Sequence, residues 1–330
     1  MGLLINGKGW KVVNDSAVEC EADSGFIKVE HRPHFENLTV IDSVKAGKAR
    51  SNTYSTALKP LLEAAEITHK YIETTSPTTI ADFAASLDAP EGSSYLFISG
   101  DTSIHEFLNG LKDAQNFKGI LAVIPAGTGN ALANSLALGS VESAIERFLT
   151  GEPQKYPIYR VSTGDKSLYS LVVVSYGFHA NLIAQSDTPE YRKLGNERFQ
   201  VVAKQLLEHP QKYKSSIYLD KSEVPLPNDE TSYVLFTTMK MLEPGFTISP
   251  EGDCKCLHLV RINAPDNLME YMMMAYGGGT HVKEPNVDYI SAKSARLDIP
   301  KDSVICVDGF ILKSDGLVDI ELGMEVSVVV

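Results

Sequence analysis

The sequence predicts an α/β domain followed by a mainly antiparallel β domain, and three observations carry that expectation. Residues 94–138 contain the same device twice: a short apolar strand (Tyr95–Ser99, then Ile120–Ile124), a glycine-bearing turn, and a helix. Strand-like and helix-like periods alternate from Leu38 to Leu149, which is the pattern of a parallel sheet with crossover helices. After Gly151-Glu152-Pro153 the helical period gives way to short strands divided by turn signals such as Gly164-Asp165, Asp308-Gly309 and Asp315-Gly316.

In chain order, residues 1–35 hold short alternating runs separated by Asn14-Asp15 and Ser24-Gly25, read as a β-hairpin or two strands forming an N-terminal extension. Leu38–Ile41 is a strand. Tyr54–Glu66 places Leu58, Leu61, Leu62 and Ala65 on one helical face, and Pro60 either kinks that helix or marks its start. Thr68–Glu73 is a strand, Thr79–Leu87 a helix capped by Thr78 or Thr79, and Val141–Leu149 a further helix. The expected organisation is therefore an extension over 1–35, an α/β nucleotide-binding domain over 36–150 and a β domain over 151–330. In that β domain, helices are expected only at Thr188–His209 and Pro265–Tyr276.

Composition narrows the function. The 330-residue chain has 42 acidic against 30 basic side chains, a formal net charge of −12, and no long basic stripe, which argues against a nucleic-acid partner. No window approaches the roughly 20 apolar residues of a membrane span. Four cysteines make no disulfide framework at this length, so a reducing, cytoplasmic setting is the default expectation. Cys254, Cys256 and His258 alternate along one strand, but no fourth ligand stands at a zinc-like spacing.

Chemistry concentrates in the repeated device. Where a strand turns into a helix, backbone N–H groups and the positive helix end face an anion, so two such turns suggest a polyphosphate cradle. The first turn is Ser99-Gly100-Asp101-Thr102; the second is Pro125-Ala126-Gly127-Thr128-Gly129-Asn130.

These residues resemble a known family. The run from Ser99 to Leu111 is similar to the diacylglycerol kinase and sphingosine kinase signature S/G-G-D-G-x-x-H/N-E-x-x-N-G-L. Pro125–Ala133 resembles the family's second nucleotide motif. Ser175–Asn181 and Glu190–Phe199 resemble the sphingosine kinase segment W-G-F-I-A-D…E-K-Y-R-x-x-G-x-x-R-F, and Val307-Asp308-Gly309-Phe310 stands where the family has V-D-G-E. The matches run in family order from Val40 to Phe310.

The resemblance implies an NAD-kinase-like α/β domain with a β-sandwich, and ATP- and Mg²⁺-dependent phosphorylation of a primary hydroxyl on a lipid alcohol, with transient membrane contact. It implies Asp101 as general base. It implies nucleotide contacts from Ser99, Gly100, Thr102, Thr74, Gly127, Thr128, Gly129, Asn130, Arg192, Arg198 and Asp308, and acceptor contacts from Glu106, Phe178, Asn181 and Asp187; it names no metal ligand. The nucleotide is expected in the cleft between the domains.

Four departures from the pattern stand out. Thr102 replaces a glycine, at a cost of roughly 1–3 kcal/mol if that position needs a positive φ. Asp42-Ser43-Val44-Lys45-Ala46-Gly47-Lys48 replaces N-P-x-x-G-x-G, putting an aspartate near phosphates. Phe310 replaces a glutamate. Asn181 and Ile183 replace the acids that meet a sphingoid amine. Three readings stay open: a sphingoid-type kinase, a kinase of another lipid alcohol, and a nucleotide- or lipid-binding protein without turnover.

Overall fold

The computed structural model describes residues 2–43, 52–88, 92–126, 130–195, 197–263 and 267–330. The chain forms two compact units, 1–156 with 325–330, and 157–324. The boundary expected at residue 151 therefore moves to Tyr156/Pro157, and the last residues return to the first unit. The reason is pairing: Ser327 and Val328 lie parallel to Ile120 and Leu121, and Glu152 and Val330 exchange backbone hydrogen bonds at 3.2 Å.

The extension is larger than a hairpin and belongs to the first unit. Strands β1 (Gly2–Ile5), β2 (Lys8–Val13), β3 (Ser16–Cys20) and β4 (Phe26–Lys28) form a sheet in the order β3-β2-β1-β4. The Cys20–Phe26 connection lets β4 return parallel to β1, Gly2 opposite Phe26.

The main sheet of the first unit contains β5 (Leu38–Asp42), β6 (His69–Glu73), β7 (Ser94–Ser99) and β8 (Ile120–Pro125), with the chain's last residues beyond β8. All these pairs are parallel, and the order is β8-β7-β5-β6. The chain leaves β5 toward β6 and then returns to the other side of β5 as β7. In such sheets ligands bind beyond the carboxyl ends of the strands where the order reverses.

Two helical details follow from single residues. Tyr54–Leu58 is one wide turn in which the Lys59 N–H reaches the Tyr54 carbonyl, and α1 (Lys59–Ala64) follows with Pro60 in its first turn. Proline has no N–H for the usual bond to the carbonyl four residues back, so the widened turn precedes it. Helices α2 (Thr79–Ser86) and α3 (Asp101–Gly110) cross at Gly110, where a Cβ would stand 2.9 Å from the Ala81 backbone. The remaining helices of this unit are α4 (Ala131–Ser135) and α5 (Val141–Thr150).

The second unit is a β-sandwich. One sheet is antiparallel in the order 287–292, 257–262, 233–237, 173–177, 304–307, 310–313. Its Val174, Tyr176, Val234, Phe236, Ile305 and Val307 meet Val161, Ile217, Leu297, Val318 and Ile320 of the facing strands in one apolar core. Because strand side chains alternate, Ser175, Tyr233, Leu235 and Cys306 point to the other face, where α6 (Phe178–Ser186) packs.

Helix α6 is absent from the sequence expectation, and the strand expected over 167–175 is two, β9 being Pro153–Thr163, β10 Lys166–Ser170 and β11 Val173–Gly177. The interruption falls where side chain rather than strand takes the backbone N–H groups: the Asp308 carboxylate accepts from Leu171, Val172 and Val173 at 2.7–2.9 Å. Gly177 then turns the chain from β11 into α6 at φ 83, and a Cβ there would lie 2.8 Å from the Ser232 carbonyl. The helix expected over 188–209 divides into α7 (Pro189–Arg192) and α8 (Glu197–Glu208), with Gly195 at φ 58 between them. Helix α9 is Leu268–Tyr276. Among the described residues no helix is long and apolar enough to cross a membrane.

Four histidines are built in neutral. Burial lowers His34 (whose Nε2 lies 2.8 Å from the Phe148 carbonyl), His258 and His281, and pushes His179 down to about 4. Unfolded, each titrates near 6.5 and binds more protons than the folded chain below that pH, so stability falls as pH drops from about 6.5. For His179 the whole window down to its folded value corresponds to about 3 kcal/mol. Urea unfolding followed from pH 7.5 to 4.5 is expected to show a midpoint that is flat above 6.5 and declines steadily below it.

Candidate active site

At the carboxyl ends of β5, β7 and β8 the first unit gathers Asp42, Ser99, Gly100, Asp101 and Asn130, with Thr74 at the end of β6 donating its N–H to the Asp42 carbonyl at 3.0 Å. Asp101 opens α3. Its carboxylate reaches the second turn, accepting from the Ala131 N–H at 2.6 Å and the Leu132 N–H at 3.3 Å. Asn130 caps the same helix, its Oδ1 accepting from the Ala133 N–H at 2.7 Å while its Nδ2 donates to the Ser99 carbonyl at 3.2 Å. The Ala126 N–H also donates to Ser99. The two junctions are thus tied into one object.

That arrangement corrects one expectation. The start of α4 does not offer its free N–H groups to an external anion, because the chain's own Asp101 and Asn130 occupy three of them. Gly127, Thr128 and Gly129, expected at the nucleotide, lie outside the described residues, as does the 44–48 part of the altered first motif.

Thr102 is the second residue of α3, exposed, and is not among the described residues with positive φ. The backbone strain expected for it is absent, because the turn is completed at Gly100 (φ −90) and Thr102 is already helical. Thr102→Gly is accordingly expected to lower stability by roughly 0.2–0.5 kcal/mol through helix propensity, where relief of strain would raise it. The sign of the shift in the urea midpoint checks this.

Asp42 is 4% exposed, and the Tyr71 hydroxyl donates to its Oδ2 at 3.1 Å. Tyr71 stacks on Tyr54 with centroids 3.8 Å apart, and the Tyr54 hydroxyl meets His69 Nε2 at 2.9 Å. Burial and then the Asp42 charge hold the Tyr71 phenol well above its ordinary value, so it remains a donor to that carboxylate. Sequence reading passed over Tyr71; its alternation with His69 on a strand that borders β5 is the signal that could have found it. Glu106 is half-buried on α3.

The second unit holds the other expected residues. Asp308 is buried, and with the Ser170 hydroxyl at 2.9 Å and the three N–H groups already named, its carboxylate accepts four hydrogen bonds. Asp308 and Gly309, both at positive φ (49 and 92), form the turn between two paired strands, Val307 opposite Phe310. Arg192 and Asp187 are bound to each other at the surface, Nε to Oδ1 at 2.9 Å and Nη2 to Oδ2 at 2.7 Å. Arg198 lies over the Phe199 ring and donates to the Gly195 carbonyl at 3.3 Å. Phe178 is buried at the start of α6, and Asn181 donates to the Gly177 carbonyl at 2.9 Å. The Cys254 thiol rests on Met239 and His258 stacks on Tyr289; among the described residues no three His, Cys, Asp or Glu side chains gather as a metal cluster.

Residues 37–161 match the diacylglycerol kinase catalytic domain. Sphingosine kinase 2 of Arabidopsis thaliana is 23% identical over 332 residues, covering 83% of this chain and 68% of the relative. Sphingosine kinase 1 of Homo sapiens is 24% identical over 336 residues, covering 84% and 86%. A putative diacylglycerol kinase from Bacillus anthracis str. Sterne has the same fold, with a TM-score of 0.67 at 18% identity over 88% of this chain and 96% of that one.

Proposed function

We propose that this chain is a divergent member of the diacylglycerol kinase and sphingosine kinase family, a lipid kinase by its catalytic domain, and that it transfers the terminal phosphoryl group of ATP to a primary hydroxyl of a sphingoid-like or other lipid alcohol. The observation that carries the reading is Asp101, fixed by two N–H groups of α4 at the end of the strand-order reversal. A carboxylate has about four lone-pair sites, so one so held still accepts a proton from an attacking hydroxyl. Phosphoryl transfer asks for positioning and charge neutralisation more than for covalent chemistry, and this junction is suited to that.

In this reading residues 125–130 hold the nucleotide, with Ser99, Gly100 and Thr74 along its edge, and Phe178 and Asn181 mark the acceptor side. Mg²⁺ usually keeps several waters and takes one or two carboxylates plus phosphate oxygens, which fits a site with Asp42 and Asp101 and no denser cluster among the described residues. When bound, it would neutralise phosphate charge. Contact with a membrane surface follows from a lipid acceptor.

Purified protein, labelled ATP and a panel of long-chain bases, diacylglycerols and other lipid alcohols in mixed micelles test the reading. A labelled lipid is expected with at least one class. Tight ATP binding in calorimetry with no transfer to any of them would instead make the chain a binding protein.

A further inference from the structure

We propose that the outward stripe of α9, formed by Met269, Met273 and Tyr276, seats the second unit on a lipid bilayer by apolar insertion rather than by attraction between charges. The occupant rests on the lipid-kinase reading; the surface and the force rest on the exposed residues.

Helix α9 is apolar on two sides. Leu268, Met272 and Ala275 are buried on its inner side. Met269, Met273 and Tyr276, spaced i, i+4 and i+7 and so on one face, are 45%, 60% and 49% exposed. A helix apolar on both sides is ordinarily covered on both, yet this outer stripe faces water. Glu270 is the helix's one charged residue, and the helical turn sets it beside the stripe rather than within it.

The chemistry of the stripe favours lipid. Methionine side chains are flexible and polarizable, and they adapt to a surface without fixed shape. Tyr276 marks the polar limit: its ring packs on Phe246 of the hairpin formed by strands 241–243 and 246–247, with centroids 4.9 Å apart, and its hydroxyl donates to Glu243. A tyrosine with an apolar ring and a satisfied hydroxyl suits the level of lipid headgroups. The segments packed on α9, 246–247 and 280–283, add exposed Lys283 and buried His281, which burial keeps neutral. Glu270 and Lys283 offer one charge of each sign, and the whole chain carries −12, so an anionic surface gains nothing here. A second copy of this chain is the poorer fit. A stable interface takes about 800 Å² from each partner, whereas three half-exposed side chains on a nine-residue helix about 14 Å long fall well short of that.

The test is sedimentation of the full chain with phosphatidylcholine vesicles. Binding is expected at about 0.1 M and about 1 M salt alike, with no increase when phosphatidylserine is added. Met269→Ser combined with Met273→Ser should lower the vesicle partition coefficient about tenfold or more. Met269→Leu combined with Met273→Leu should keep it, and neither pair should move the urea midpoint appreciably. The fluorescence of Met273→Trp should be quenched by brominated phosphatidylcholine beyond the baseline of the parent's single Trp10. In transfer assays the serine pair should slow phosphorylation of a vesicle-borne acceptor and leave kcat/KM for a water-soluble short-chain acceptor unchanged. Binding that needs phosphatidylserine and disappears in high salt, binding that the serine pair leaves intact, or a dimer in analytical ultracentrifugation that the serine pair dissociates, overturns the inference. Transfer to a micellar lipid without vesicle binding also overturns it and upholds the kinase reading. Stripe-dependent vesicle binding without transfer to any lipid supports the inference and overturns the kinase reading.

Discussion

Asp101→Asn is expected to lower phosphoryl transfer about 10²–10⁴-fold while the protein still folds and binds ATP. The amide oxygen can keep the bond to the Ala131 N–H, now 2.6 Å from Oδ2, but its NH₂ group faces the Leu132 N–H, and it accepts no proton from a lipid hydroxyl. Stability should fall by about 1–2 kcal/mol, the difference between a charge-assisted cap and a neutral one. The measurement is initial rate of lipid phosphorylation beside calorimetric ATP affinity and the urea midpoint. Activity within threefold of the parent would leave Asp101 as a helix cap alone. A loss of ATP binding equal to the loss of rate would make it a nucleotide-positioning residue.

Asp308→Ala is expected to destabilise the second unit by about 3–5 kcal/mol. The side chain is 6% exposed, and its removal leaves the Leu171, Val172 and Val173 N–H groups and the Ser170 hydroxyl without their acceptor in a place water does not reach. A buried donor left unmatched costs about 1–3 kcal/mol. Differential scanning calorimetry and urea titration check the loss. An unchanged midpoint with weakened ATP binding would return Asp308 to the nucleotide role that its motif implies.

Much of the fold was legible in the residues because the signals are local. Alternating strand and helix periods announced the parallel sheet, Pro60 announced either a kink or a start within the helix expected over 54–66, and the turn glycines announced both strand–helix junctions. The two elements that escaped depend on distant partners. Helix α6 follows a glycine at φ 83 whose missing Cβ also leaves room for the Ser232 carbonyl, 2.8 Å from where a Cβ would be. The break between β10 and β11 is imposed by a carboxylate 135 residues away in sequence, at Asp308. Periodicity over a dozen residues contains neither fact.

The candidate site divides the same way. Motif spacing picked out Asp101 and Asn130 but not their connection, and it misjudged Thr102, because whether a position needs a left-handed backbone is decided by where the turn ends. It paired Arg192 with phosphate and Asp187 with acceptor, although the chain's turn between α6 and α7 brings the two charges onto each other.

By itself, then, the sequence determined the class of fold and the place of the strand–turn–helix junctions, since these reside in spacing and residue type along short stretches. Only the tertiary structure decided that Asp101 spans from one junction to cap the next, that Asp308 braces residues 170–173, and that the chain's last strand returns to the first unit. The physical reason is that hydrogen bonds to buried backbone groups must be met by whichever side chain folding brings within about 3 Å. Sequence distance has no part in that choice.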